Sequence, residues 1–178
     1  MNWENTFKTL PDVEKKALIQ KAYETGFSYE GRFGNCAQCT LAAIGDIFGC
    51  GNDEVFKAAY NFAGGYGLTS KGTCGAVSAT AMLISSIHGR DREHFETGGR
   101  YAHSYKLARR FLDRFNELYG SGICCEVHKK IFDGRSFDLS NREQYMAFEA
   151  AGGHVDKCTA VVGNACKILA EMIVNGEM

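Results

Sequence analysis

Apolar residues recur at intervals of three and four along most of this 178-residue chain, which is the spacing of one helix face. The pattern predicts helices over residues 11–29, 35–49, 53–63, 73–88, 100–120, 141–151 and 156–174. Strand patterns are scarce, and only GICCEVHKKIF at 122–132 fits a short extended run as well as a helix. We therefore expect an all-α fold, a single-domain helical bundle over residues 1–178.

The helix over 35–49 has recognisable ends, and the helix over 73–88 has an unusual surface. Asn35 is the predicted N-cap of the first of these, and Gly49 or Gly51 is expected near its end. The helix over 73–88 is apolar on nearly all sides. We therefore expect that helix at the centre of the bundle.

Two further helices have a predicted buried face. In the helix over 11–29, Val13 and Ala17 share an apolar side. In the strongly amphipathic helix over 100–120, Tyr105 and Phe115 fall on the apolar side, away from most of the arginines. We expect these four residues to face the core.

The overall charge is close to neutral, with 20 basic and 21 acidic residues. This balance argues against a bulk attraction to nucleic acid or to an anionic membrane. No stretch approaches the roughly 20 apolar residues needed to span a bilayer, and the first residues lack the apolar core of a secretory signal. We expect a cytoplasmic protein with no nucleic-acid partner and no membrane insertion.

The chain contains eight cysteines, which is many for a cytoplasmic protein of this size. The reducing conditions of the cytoplasm disfavour structural disulfides. The chain is also long enough to bury a sizeable core without them. The cysteines therefore indicate metal binding or redox chemistry for some positions and ordinary core packing for others.

Four cysteines share one local setting, because each follows a glycine-containing or polar segment and stands where a helix is predicted or can begin. These residues are Cys36, Cys74, Cys124 and Cys158. The free N–H groups and the positive dipole end of a helix N-terminus stabilise a thiolate and lower its pKa. They would equally stabilise an anionic cluster held by several thiolates. We select these four cysteines as metal ligands.

Three glycines are expected to bind the cofactor. Gly64 and Gly65 belong to the loop GGYG, and Gly75 follows Cys74 directly. A glycine lets the backbone approach a bound group without a Cβ atom in the way.

The remaining cysteines and the histidines are weaker candidates. Cys39 forms a C-x-x-C pair with Cys36, so it is either a redox or metal-binding thiol or a core residue one turn along the helix. His154, four residues before Cys158, is either a ligand or, more simply, a solvated loop residue. His103 is expected to pack or to donate a hydrogen bond. Three more thiols are expected in the core or at the surface: Cys50, Cys125 and Cys166.

A series of short motifs resembles the family of redox-active proteins named for its C-GCAxxG-C-C cysteine pattern. The motifs are NCAQ at 35–38, GGYG at 64–67, TCGAV at 73–77, GSGIC at 120–124 and DKC at 156–158. The resemblance covers about residues 30–170 and places the family's four cysteines on the four selected above. The chain departs from the second motif at Ala79, where the family usually has glycine.

The resemblance implies redox activity, with an iron–sulfur cluster as the cofactor of at least some relatives. Our leading hypothesis is a protein that carries electrons to or from a partner protein, or senses redox state, through such a cluster. The alternatives are a metal-free thiol–disulfide oxidoreductase and a Cys₄ zinc site without catalysis. The apolar central helix and the aromatic-rich helix over 100–120 would also permit a homodimer.

Overall fold

A computed structural model describes residues 3–98 and 101–178. Within these ranges the chain forms ten α-helices and no strand. The helices are α1 (Trp3–Lys8), α2 (Asp12–Phe33), α3 (Cys36–Phe48), α4 (Asp53–Ala58), α5 (Gly75–His88), α6 (Arg92–Glu96), α7 (Ala102–Tyr119), α8 (Cys124–Ile131), α9 (Arg142–Ala150) and α10 (Cys158–Val174). The all-α prediction is confirmed; the single-domain organisation stays a prediction. No helix in the described ranges is long and apolar enough to cross a membrane.

The start and end of α3 follow from its sequence as predicted. The side chain of Asn35 accepts a hydrogen bond from the backbone N–H of Gln38 at 3.1 Å, which satisfies one of the free amides of the first turn. Gly49 ends the helix in a left-handed conformation (φ 68°). Cys36 is thereby fixed as the first residue of α3.

Helix α10, rather than α5, lies at the centre of the bundle. Twelve of its 17 residues are buried, whereas Ala81, Ser85 and Ser86 of α5 are exposed. Its main partner is α2, and the two helices approach so closely that a Cβ atom on Gly26 would stand 2.6 Å from the Sγ atom of Cys166. The helix predicted as central therefore has one exposed side, formed by small residues, and only seven of its 14 residues are buried.

Helix α2 ends four residues later than predicted, and both of its predicted core residues are exposed. It continues through Gly31 to Phe33. This end packs against Thr159 of α10 and against His154 in the turn before α10, and the packing outweighs the low helix propensity of glycine. Val13 is 79% exposed, and Ala17 is exposed as well. The short helices α1 and α6 lack a predictive pattern, and the predicted helix over 53–63 ends at Ala58, followed by a 3₁₀ turn.

The buried face of α7 is rotated from the predicted one. Leu107, Phe111 and Phe115 face the core, while Tyr105 is 74% exposed. Tyr105 is two residues from Leu107, so the two side chains leave the helix on different sides. The predicted start of this helix at Arg100 lies outside the described residues.

The stretch over 122–132 is helical rather than extended. Cys124, Val127 and His128 are buried on one side of α8 at the i, i+3, i+4 spacing of a helix. Only an isolated bridge between Thr73 and Ile123 remains of an extended conformation in the described residues. Helix α8 ends against a small aromatic cluster, which consists of Phe132, Phe137 and Phe148.

Candidate functional site

The four selected cysteines line one cavity. Its volume is about 330 Å³, and Cys36, Cys74, Cys124 and Cys158 all contribute to its wall. They stand at the starts of α3, α5, α8 and α10, so four elements distant in sequence meet at this place.

Each cysteine stands at the N-terminal end of its helix. Cys36, Cys124 and Cys158 are the first residues of their helices, and Cys74 is the N-cap of α5. A single turn of π-helix over Gly153–Lys157 precedes Cys158, an irregularity that is frequent at functional sites. Four helix dipoles thus place their positive ends beside one cavity, which favours an anionic group there.

Backbone amides supply hydrogen bonds to two of the thiols. The amides of Gly64 and Gly75 favour the thiolate of Cys36, and the amides of Ala76 and Val77 do the same for Cys74. A Cβ atom on Gly75 would overlap the Sγ atom of Cys36. Gly75 is therefore a position of close approach to the Cys36 thiol, and its binding of a cofactor stays a prediction.

The loop that carries Gly64 and Gly65 has an unusual backbone. Gly64 lines the cavity, whereas a Cβ atom on Gly65 (φ 68°) would stand 2.6 Å from the Cβ atom of Cys124. Tyr66, Leu68 and Ser70 also have positive φ angles, which is uncommon for residues with side chains. Such strain is typical of segments that are held in place around a functional site.

Burial, rather than helix position, dominates the protonation of the four thiols. Burial raises the pKa of Cys74 and of Cys124 to about 12, and it raises that of Cys36 and Cys158 well above the usual value for a thiol. The expectation of lowered pKa values at these helix starts is therefore wrong for the metal-free protein. The amides and dipoles offset only part of the cost of a buried negative charge.

A buried carboxyl group shares the cavity with the thiols. Glu30 is 2% exposed, and burial raises its pKa to about 7, an effect that nearby His154 opposes. The Nε2 atom of His154 lies 3.7 Å from Glu30, and its Nδ1 atom lies 2.5 Å from the carboxylate of Glu149. His154 is therefore held between two carboxyl groups at the cavity wall, and it is not the solvated loop residue that was the simpler expectation.

A second histidine, His128, also lines the cavity and lies next to two of the thiols. The Nε2 atom of His128 lies 3.8 Å from the Sγ atom of Cys124 and 3.9 Å from that of Cys158. Burial lowers the pKa of His128 to about 4, so its imidazole is neutral at neutral pH. The aromatic cluster surrounds the ring.

The other four cysteines do not line this cavity. Cys39 is 3% exposed, packs in the core and hydrogen-bonds Glu30, so it contacts a carboxyl group of the cavity wall without lining the cavity itself. Cys166 is fully buried between α2 and α10. Cys50 and Cys125 are half-buried thiols elsewhere. The expectation of ordinary packing is confirmed for Cys166, and Cys124 rather than its neighbour Cys125 reaches the cavity.

Glu30 and His128 were not selected from the sequence. The predicted helix ended at Tyr29, so Glu30 was expected in a loop and not on the buried side of α2. His128 stands four residues after Cys124, the spacing that puts two side chains on the same side of a helix. That signal was present, and recognising α8 as a helix would have revealed it.

The chemistry of the groups around the cavity fits an anionic group held by thiolates. Within residues 3–98 and 101–178, no three Cys, His, Asp or Glu side chains stand close enough together to hold a single ion. The four thiols are part of the wall of a cavity of about 330 Å³ that other residue types also line. Thiols, amide donors and positive helix ends around one cavity suit an anionic group held by thiolates.

The departure from the family motif at Ala79 does not change the cavity, because Ala79 is fully buried in the core and is not part of the cavity wall.

A family model described as "Putative redox-active protein (C_GCAxxG_C_C)" matches residues 34–172, a range that includes all four cysteines of the cavity. No curated protein and no solved structure matches the chain. The resemblance seen in the motifs is thus confirmed over most of the chain, and the protein belongs to the C_GCAxxG_C_C family of putative redox-active proteins.

Proposed function

We propose that Cys36, Cys74, Cys124 and Cys158 hold an iron–sulfur cluster and that the protein transfers electrons to or from a partner protein, or senses redox state. The observation that carries this proposal is the meeting of four helix-start cysteines at one cavity. Clusters of both the [2Fe–2S] and the [4Fe–4S] type take four thiolates, and when bound they accept and release single electrons.

The residues of the chain have three tasks in this proposal. The four cysteines bind the cluster, and the amides of Gly64 and Gly75 donate hydrogen bonds beside Cys36. Apolar wall residues such as Val127, Val161 and Val162 limit the access of water. Since donor groups and low hydration both tune the potential of a cluster, the wall of the cavity sets how easily the site is reduced.

The thiol–disulfide alternative is disfavoured by the protonation of the thiols. The attacking species in such an exchange is a thiolate. With pKa values of about 12 for Cys74 and Cys124, the thiolate fraction at neutral pH is negligible. Cys39, the second thiol of the C-x-x-C pair, is buried in the core beside Glu30 and does not line the cavity.

The zinc alternative requires a tighter arrangement of sulfurs. A structural zinc ion needs four ligands at about 2.3 Å from one point. Within the described residues no three Cys, His, Asp or Glu side chains stand close enough together to hold a single ion. A polynuclear cluster, in which the four thiolates are divided among several iron ions, does not require all four sulfurs to meet at one point.

The adjacent pair Cys124 and Cys125 offers a matched test. Protein purified without oxygen, and reconstituted with iron and sulfide, is expected to absorb broadly in the visible range and to bleach with dithionite. Iron and acid-labile sulfide should be present in matching amounts. Cys124→Ser should lose most of this absorbance, whereas Cys125→Ser, with a side chain outside the cavity wall, should keep it.

Two outcomes contradict the proposal. A colourless protein without sulfide after anaerobic reconstitution would exclude the cluster. Equal cluster content in Cys124→Ser and Cys125→Ser would exclude the ligand assignment, provided that circular dichroism shows both variants to be folded.

A further inference from the structure

His128 stands between two of the four cysteines and is shielded from water. Its Nε2 atom lies 3.8 Å from the Sγ atom of Cys124 and 3.9 Å from the Sγ atom of Cys158. The residue is 1% exposed, so its ring has almost no contact with bulk solvent. The two sulfurs are the polar atoms within reach, and they belong to different helices, α8 and α10.

The other ring nitrogen fixes which of the two carries the proton. The backbone N–H of Phe137 points at the Nδ1 atom of His128, with a nitrogen–nitrogen distance of 3.5 Å. A backbone N–H can only donate, so Nδ1 must be the bare, accepting nitrogen. A neutral imidazole has one proton, and that proton is therefore on Nε2, the atom that faces the sulfurs.

The backbone of Phe137 is anchored on its carbonyl side as well. The hydroxyl of Ser70 donates a hydrogen bond of 2.6 Å to the Phe137 carbonyl, and both groups are buried. The ring of His128 stacks on Phe148 at a centroid distance of 5.6 Å and meets Phe132 edge-on at 5.5 Å. A rotation of the imidazole that exchanged its nitrogens would break the Phe137 contact and disturb this packing.

A ligand role for His128 conflicts with this arrangement. A histidine that binds a metal through Nε2 carries its proton on Nδ1 and donates it to a carboxylate, a carbonyl or water. Here Nδ1 meets a donor, so two N–H groups would oppose each other in a buried place. We propose that His128 is a positioning residue whose Nε2–H donates to the sulfurs of Cys124 and Cys158, and that it is not a ligand; this rests on the proposed cluster.

The expected effect is on the reduction potential. A hydrogen bond to a cluster-bound sulfur stabilises the extra negative charge that arrives with an electron. The donor therefore makes the cluster easier to reduce, and its removal should shift the midpoint potential to a more negative value. Because one N–H is shared between two sulfurs, the effect couples the ends of α8 and α10.

The first test needs no cluster. Long-range proton–nitrogen correlation spectra of the reduced, metal-free protein report which imidazole nitrogen of each histidine carries the proton. His128, assigned by the loss of its signals in His128→Leu, is expected to be protonated on Nε2 and bare on Nδ1. Protonation on Nδ1 would overturn the proposal whether or not the protein binds iron.

The second test uses the reconstituted protein and three variants. His128→Leu should retain the cluster but have a more negative midpoint potential, and His128→Gln, whose amide is a donor of similar reach, should restore much of the difference. His103→Leu is the matched control, since His103 is an exposed residue of α7 that packs on His88, and its potential should equal that of the wild type.

The outcomes separate the donor role from other roles. Loss of the cluster in a folded His128→Leu protein would make His128 a ligand and overturn the proposal. An unchanged potential in His128→Leu, or a potential in His128→Gln as low as in His128→Leu, would also overturn it. If wild-type protein assembles no cluster at all, the proposed function fails, and the tautomer experiment alone then decides the role of His128.

Discussion

Gly75 is the point at which the start of α5 meets the thiol of Cys36. Its backbone is in the ordinary helical region, so it is not needed for a special conformation. It is needed because a Cβ atom there would overlap the Cys36 Sγ atom and come within 3.1 Å of the backbone nitrogen of Ala37. The N-terminal turns of α3 and α5 can therefore approach each other only when this residue has no side chain.

Gly75→Ala is expected to destabilise the protein in spite of the helix propensity of alanine. Replacing glycine in a helix favours folding by up to about 1 kcal/mol, whereas overpacking a buried contact costs about 1–3 kcal/mol. The variant should have a lower Tm and a lower cluster content. Thermal unfolding and the visible absorbance after reconstitution measure the two effects.

The matched control is Gly31→Ala on α2. A Cβ atom there would meet its nearest neighbours at 3.4 and 3.5 Å, which are ordinary contacts. This variant should be as stable as the wild type or more stable. If Gly75→Ala is also as stable as the wild type, α3 and α5 do not approach each other as closely at this residue as described.

At the scale of the helix, the ends that depend on local hydrogen bonds are predictable. Asn35 and Gly49 bound α3 as their types require, and Asn141 caps α9 by accepting from two amides. The end of α2 is different, because residues up to Phe33 stay helical through contacts with a segment more than 120 residues away in sequence. A local pattern contains no information about such a partner.

The same distinction applies to the candidate site, where features of a single helix start were predictable and features that depend on packing were not. The four cysteines were selected because a helix start is a local feature, and each of them stands at one. Glu30 and His128 depend on how α2 and α8 fold and pack, so the local pattern did not reveal them. The high pKa values of the thiols were also missed, since burial is a property of the assembled helices and not of the individual helix start.

Asn35→Ala is expected to weaken both the helix start and the site. The change removes the bond from the Gln38 amide and the bond that the Asn35 amide group donates to the Tyr60 carbonyl at 3.1 Å. The loss of an N-cap costs about 1 kcal/mol. We expect this drop in the free energy of unfolding, together with faster loss of visible absorbance in the presence of a chelator.

Asn141→Ala provides the comparison. It removes the N-cap of α9, which carries no cysteine, and should cost a similar free energy of unfolding. Its rate of cluster loss should remain that of the wild type. Equal rates of cluster loss in the two variants would mean that the cap of α3 does not position Cys36.

At the scale of the whole molecule, two buried groups give opposite dependences of stability on pH. The pKa of Glu30 is raised from 4.5 to about 7 by burial. Its contribution to the free energy of unfolding is therefore fully present below pH 4.5 and is lost as the pH rises towards 7. The pKa of His128 is lowered from 6.5 to about 4, so its contribution is present above pH 6.5 and is lost as the pH falls towards 4. Each contribution amounts to about 3 kcal/mol.

The metal-free wild type should therefore change little in its free energy of unfolding between pH 4.5 and 6.5. In Glu30→Gln the contribution of His128 is no longer offset, and stability should rise by about 3 kcal/mol across this range. Denaturant unfolding at a series of pH values measures the slope. Glu117→Gln, an exposed change on α7, should keep the flat profile; a flat profile in Glu30→Gln as well would contradict the opposing titrations.

The order of the four cysteines along the chain has a consequence for biosynthesis. Cys36, Cys74 and Cys124 leave the ribosome before Cys158, and the helix that begins at Cys158 also completes the core against α2. A nascent chain therefore presents three of the thiols on an incomplete bundle, without the helix that closes the cavity. A group held by all four thiols, as proposed above, can therefore be bound only once α10 has folded against α2.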